Sequence, residues 1–146
     1  PNDVLAGTGK LAGILVERVE RPAGGVAVVG VGLNVSATRD ELPVAAATSL
    51  ALAGAGSLDR TRLLTAVLDA FAVRYDAWRA AAGNGVRAPY LQVSSTVGRE
   101  VRVELPGGGH LLGRAVDVDD QGRLRVDDGT RVHVLGAGDV VHVRPG

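Results

Sequence analysis

Two near-continuous apolar runs open the chain. Residues 10–19 and 26–35 are rich in Val, Ile and Leu and are separated by Arg21-Pro22-Ala23-Gly24-Gly25. Such runs read as strands buried on both faces. A proline that fixes φ, followed by glycines, suits a tight link between antiparallel neighbours. Another turn sequence, Ala6-Gly7-Thr8-Gly9, folds residues 2–5 back onto the strand that starts at Lys10, which brings Asn2 and Asp3 near Lys10. From Asp59 the period changes. Leu64, Leu68, Phe71, Tyr75 and Trp78 recur at spacings of four, three, four and three, the stripe of an amphipathic helix that packs on a core. Asp59 or Ser57 caps that helix and Gly83-Asn84-Gly85 ends it. A shorter helix is expected within residues 40–53, and a further helical turn through Pro89-Tyr90-Leu91. Beyond Ser94 apolar positions recur at strand spacing: Val97, Val101, Val103 and Leu105; Leu112, Ala115 and Val118; Leu124 and Val126; Val132 and Val134; Val141 and Val143. Glycine- and aspartate-rich turns divide these five short strands. A small SH3-like barrel is their economical packing, because closure hides strand edges.

Composition narrows the class. At 146 residues and 46% hydrophobic content, the chain suffices for one ordinary domain or two small ones. The division is expected near residues 92–96, giving domains 1–93 and 94–146. Sixteen basic and sixteen acidic residues cancel, so no single-sign field draws a nucleic acid or an anionic membrane surface. There is no cysteine, hence no disulfide framework or thiolate metal site. No apolar run approaches membrane-spanning length. The chain starts at Pro1 with no charged-then-apolar leader, so it reads as a cytoplasmic piece of something longer.

Lys10 is the only lysine beside fifteen arginines. An ammonium is a compact point charge that sits against a carboxylate or phosphate oxygen, whereas guanidinium is a wide fork. An isolated strand-end lysine is ordinarily a surface ion-pair partner. Here it belongs to a longer pattern: Pro1-Asn2-Asp3, then Lys10-Leu11-Ala12-Gly13-Ile14-Leu15-Val16-Glu17. A second stretch, Gly30-Val31-Gly32-Leu33-Asn34, ends the next apolar run. The third is the Asp119-Asp120-Gln121-Gly122 turn with Gly138-Asp139-Val140. On these three stretches the chain resembles the biotin protein ligases.

The resemblance implies an α+β fold: a mixed sheet with helices like that of class II aminoacyl-tRNA synthetases, followed by the SH3-like barrel. Residues 1–93 would be the C-terminal part of the catalytic domain, with its N-terminal part missing. It implies a two-step reaction. Biotin and ATP, with Mg2+, give biotinyl-5′-AMP and pyrophosphate, and a lysine of a biotin carboxyl carrier protein then attacks the mixed anhydride. Lys10 would stabilise the meeting of carboxylate and α-phosphate, and Asp3 would stand by the acceptor amine. Asn2, Ala12, Gly13, Gly30, Gly32, Asn34 and Arg144 would complete the biotin and adenylate site, with no protein metal ligands. The family's glycine- and arginine-rich loop is absent from these residues, so the isolated chain is expected to be inactive.

Blander readings stand beside each of these. Asn2-Asp3 suits an Asx turn, a β-bulge would explain Gly30 and Gly32, close strand packing would explain Gly13, and Arg144 reads as a solvated strand-end charge. His110, His133 and His142 have no ligand-set spacing and read as surface strand positions. Tyr75 and Trp78 read as core. Two other functions are open: a lipoate or octanoyl ligase of the same fold, and a non-catalytic protein-interaction module.

Overall fold

The computed structural model describes residues 2–83 and 85–142, and the chain divides into two compact units, Pro1–Leu68 and Asp69–Gly146. In the first, β1 (Asp3–Ala6), β2 (Gly9–Val19) and β3 (Val26–Leu33) make an antiparallel sheet in the order β1-β2-β3. The apolar runs form the strands, and Gly24 turns between them at φ +110° while donating to the Arg21 carbonyl. Lys10 also makes an isolated parallel bridge with Ala47.

Residues 40–53 contain no α-helix, contrary to the helix expected there. Only a 3-10 turn, Arg39–Glu41, forms, closed by the Glu41 carboxylate accepting from Thr38 N and Oγ1. The reason lies in where the backbone bonds go. Lys10 N donates to the Ala46 carbonyl, Thr48 N to that of Lys10, Leu50 N to that of Asn34 and Ala51 N to that of Val35. Groups committed to the sheet are unavailable for an i to i−4 ladder.

Helix α1 (Arg60–Ala80) starts where Asp59 Oδ1 accepts from the amides of Thr61 and Arg62. It ends with Ala82 and Gly83 at positive φ. Its stripe does not pack as a core. Leu64, Leu68, Phe71, Tyr75 and Trp78 are 39–58% exposed, although Phe71 and Tyr75 stack with ring centroids 5.7 Å apart. The strands expected to be buried on both faces are likewise open: every residue of β3 but Leu33 is exposed. Apolar patterning states what a surface needs, and burial requires a second layer set against it.

In the second unit α2 (Arg87–Val93) precedes β4 (Glu100–Glu104), β5 (His110–Val118), β6 (Leu124–Asp127), β7 (Val132–Leu135) and β8 (Asp139–His142). All pair antiparallel in the order β7-β6-β5-β4-β8, the expected SH3-like barrel. Val101, Val103, Ala115 and Val126 are fully buried, with Leu105, Leu111, Leu124, Leu135 and Val140 packed against them. Register corrects four apolar assignments. Val126 stands opposite His133, and Val101 opposite His142, so those histidines take the inward positions. Val132, Val134 and Val141 face outward, as Leu112 does.

Arg87 fastens α2 to the barrel. Its Nη2 donates to both Asp117 oxygens, at 2.7 and 2.5 Å, and its Nε to the Val118 carbonyl at 2.6 Å. The hydrogen bond from Arg87 holds the Asp117 carboxyl below its ordinary range, against the opposing effect of desolvation. A carboxyl depressed in the fold stabilises above its unfolded value and loses that contribution as pH falls through its folded one. Arg87→Ala is therefore expected to lower the melting temperature at neutral pH, by a margin that narrows as the pH falls below about 4. Thermal melts of the two proteins across that range check it. A margin independent of pH would assign the effect to packing alone.

Candidate active site

A β-bulge builds the site. Along the β1–β2 pair, Asp3 faces Gly13 and Val4 faces Ala12, but Leu5 faces Lys10. Leu11 is thus the extra residue. In an unbroken strand, residues 10 and 13 would point to opposite faces. The extra residue re-aims Lys10, whose Nζ meets Asp3 Oδ1 at 2.5 Å. A Cβ built on Gly13 would lie 3.7 Å from Lys10 Cε and 3.8 Å from its Nζ, so the lysine side chain runs over Gly13. Both charged side chains stay open to a ligand, at 42% and 41% exposure.

Toward β3 the same face carries three glycines, with Leu15 beside them. Gly13 stands opposite Gly32, and Leu15 opposite Gly30; opposed residues share a face, as do residues two apart. Gly13, Gly30 and Gly32 therefore extend one strip beside the Lys10–Asp3 pair. The register of β2 with β3 is unbroken from Ala12–Leu33 to Val19–Val26, which removes the bulge explanation for the two glycines. A Cβ at Gly32 would meet nothing within 4 Å, and one at Gly30 only the Leu15 carbonyl oxygen at 3.8 Å. Packing among the described residues does not require either glycine. A flat ligand can lie closely on such a strip, with a cation and a carboxylate at its end.

The remaining candidates divide. The Asn2 carbonyl accepts from Ile14 N, so Asn2 and Asp3 enter a strand pair rather than the Asx turn that would also suit them. Ala12 is buried at 5% exposure and lies on the face opposite Gly13, away from the strip. Asn34 Nδ2 donates to the Thr48 carbonyl at 3.0 Å, which ties down the end of β3 with one of the amide's two N–H groups and leaves Oδ1 to accept. Arg144 lies outside the described residues.

Sequence reasoning missed Arg39 and residues 45–48. Arg39 Nη1 donates to the carbonyls of Ala47, at 2.6 Å, and Ala45, at 3.3 Å, against the very segment that bonds the Lys10 backbone. No spacing announces such a contact, because backbone acceptors leave no mark in residue type. One indirect signal exists. Gly9 must lack a side chain, since a Cβ there would lie 2.8 Å from Thr48 Cβ.

His133 and His142 are partnered rather than simply exposed, whereas His110 is exposed as expected. His133 Nε2 lies 2.5 Å from Asp128 Oδ2 and His142 Nε2 3.0 Å from Thr96 Oγ1. Burial, with the nearby Arg99 charge, lowers the His142 pKa. Asp128 is held well below the usual carboxylate range by bonds from Thr130 and His133. Among the described residues no three His, Asp or Glu side chains converge as a metal site, and no helix is long and apolar enough to cross a membrane.

The chain is similar to known biotin protein ligases. The family profile "Biotin protein ligase C terminal domain" matches residues 96–143. A biotin–[acetyl-CoA-carboxylase] ligase of Mycobacterium tuberculosis is 49% identical over 144 residues, 99% of this chain and 52% of that protein. The chain thus spans about half the length of the curated relative it matches. The apo biotin protein ligase of Aquifex aeolicus superposes with a TM-score of 0.79 at 23% identity, over 97% of this chain and 62% of that one. The Aquifex ligase in complex with biotin and ATP gives 0.78 at 22%, over 99% and 60%. At these identities the structures speak for the fold.

Proposed function

We propose that the chain is part of a biotin protein ligase, since it is 49% identical to one over about half of that protein's length, and that its parent polypeptide activates biotin with ATP and transfers it to a lysine of a biotin carboxyl carrier protein. The observation that carries this reading is the Lys10–Asp3 pair, turned by the Leu11 bulge onto the same face as the strip Gly13, Gly30 and Gly32.

The strip receives the flat bicyclic and adenylate parts of the ligands. In the first step the biotin carboxylate attacks the α-phosphorus of ATP, a phosphorus–oxygen bond to pyrophosphate breaks, and biotinyl-5′-AMP forms. Two anions must meet for this, and Lys10 Nζ offsets their repulsion and the charge that builds in the transition state. In the second step the acceptor amine attacks the anhydride carbonyl and AMP leaves. Asp3 orients that amine or accepts its proton; reach comes before a tuned pKa for such a base. Mg2+, if used, would be held mainly by the ATP phosphates, the usual mode for an ion that dehydrates reluctantly, and would offset their charge there.

In this reading residues 1–93 belong to the catalytic domain and 94–146 to the barrel domain, and the enzyme is cytoplasmic. The missing N-terminal half supplies the phosphate-wrapping loop and the layer that covers the exposed valines of β2 and β3, so the isolated chain is inactive. Asn2 and Gly13 line the ligand. Ala12 supports the strip from the opposite face, Asn34 offers the rest of its amide to the adenylate while one N–H holds Thr48, and Arg144 contacts the nucleotide. The test is acid selectivity. The parent protein is expected to release pyrophosphate from ATP with biotin at least about ten times faster than with lipoate or octanoate, a step worth about 1.4 kcal/mol. Preference for lipoate or octanoate would move the assignment to a related ligase.

A further inference from the structure

The backbone around Lys10 is held by a strap, residues 45–48, all four of whose carbonyls are engaged. Arg39 Nη1 donates to those of Ala45 and Ala47, Lys10 N to that of Ala46, and Asn34 Nδ2 to that of Thr48. Thr48 N returns a bond to the Lys10 carbonyl at 2.8 Å. Lys10 is therefore gripped on both its donor and its acceptor by a segment that has no helix or strand of its own. Beyond the end of β3 at Leu33, that segment takes the place beside β2 that a continuing strand would occupy. Ala47 is buried at 4% exposure and Ser49 fully buried, with Ser49 Oγ donating to the Ala37 carbonyl. Arg39, in contrast, is an exposed side chain whose single guanidinium nitrogen closes two carbonyls of an otherwise irregular loop.

We propose that Arg39 is a positioning residue for adenylation: it touches no substrate, and it fixes the strap that fixes the Lys10 backbone, hence the place of Lys10 Nζ over Gly13. This rests on the ligase reading for its kinetic consequence, and on geometry alone for the clamp. A charged donor shared by two carbonyls stiffens the strap more than either bond would alone, and a displacement of about 1 Å at a catalytic group is enough to cost up to about a hundredfold in rate. Lys at position 39 keeps a cationic donor able to reach a carbonyl, whereas Met keeps the aliphatic stem and no donor.

The experiment takes the full parent protein as wild type, Arg39→Met and Arg39→Lys, and measures two things. Amide hydrogen exchange at Lys10 and Thr48 reads the clamp. Steady-state adenylation of biotin reads its use. In Arg39→Met, exchange at those two amides is expected to accelerate at least about tenfold while the barrel amides stay as in wild type. kcat for adenylation is expected to fall by about ten- to thirtyfold, with KM for biotin and ATP within about twofold, and Arg39→Lys to recover most of that loss. Unchanged exchange in Arg39→Met overturns the clamp. Faster exchange with unchanged kcat, or a loss lying wholly in KM, or a loss that Lys does not relieve, overturns the positioning role. A variant too unstable to assay would show accelerated exchange in the barrel amides as well, which also overturns it. A wild-type parent that adenylates no biotin sinks the ligase reading, while the exchange arm still decides whether Arg39 holds the strap.

Discussion

Lys10→Ala in the parent polypeptide is expected to slow formation of biotinyl-5′-AMP by about 10²–10³-fold while leaving the fold in place. The two halves of that expectation have separate causes. In the fold, Lys10 makes one ion pair with Asp3, and both side chains are about two-fifths exposed. Such pairs contribute about 0–1 kcal/mol, so melting should hardly move. In the reaction, Lys10 is the only cation that the described elements bring to the glycine strip, beside a carboxylate that cannot replace it. Removing one group aimed at developing charge commonly costs about 3–4 kcal/mol of transition-state stabilisation. Lys10→Arg should stay defective: a planar fork cannot reproduce a point charge lying over Gly13. The ratio of these effects matters most, because a structural lysine would lose stability and activity together.

The largest effect on stability is expected at Gly113, not in the candidate site. A Cβ there would collide with the Asp127 carbonyl oxygen and stand 2.9 Å from its carbon and 2.9 Å from Val126 Cγ1. The neighbour is backbone of the paired strand β6, and Val126 is fully buried, so nothing nearby gives way cheaply. Gly113→Ala must part β5 from β6 or fold with strain, at a cost of about 2–3 kcal/mol, the upper range for overpacking. For a unit of this size that is a fall of about 10–20 °C in melting temperature. Gly32→Ala is the control, since a Cβ at Gly32 meets nothing. Calorimetry that found the two substitutions equally mild would show that β5 and β6 do not approach so closely.

Much of this could be read from residue order. The strands, the long helix and its Asp59 cap, and the five barrel strands followed from period and turn chemistry, because each is written in local sequence. The Lys10–Asp3 pairing was legible for the same reason: a Gly7-Thr8 turn returns residues 2–5 to Lys10. What escaped depended on partners. Residues 40–53 have helix-forming composition, yet their amides and carbonyls bond to Lys10, Asn34 and Val35, and tertiary bonding overrode propensity. The inward places of His133 and His142 are set by register against Val126 and Val101, which no single strand reveals. The bond from Asn34 to the Thr48 carbonyl was equally hidden, because a backbone acceptor leaves no mark in residue type. The stripe of α1 and the faces of β3 were expected to be buried and are exposed, because the described elements set no second layer against them.

Biotin-dependent exchange of labelled pyrophosphate into ATP by the full parent polypeptide, wild type against Lys10→Ala, tests the central claim most directly. The account predicts exchange that requires biotin and collapses in the variant although both proteins melt alike. Exchange that persists undiminished in Lys10→Ala, or a well-folded wild type that shows none with biotin, would contradict it.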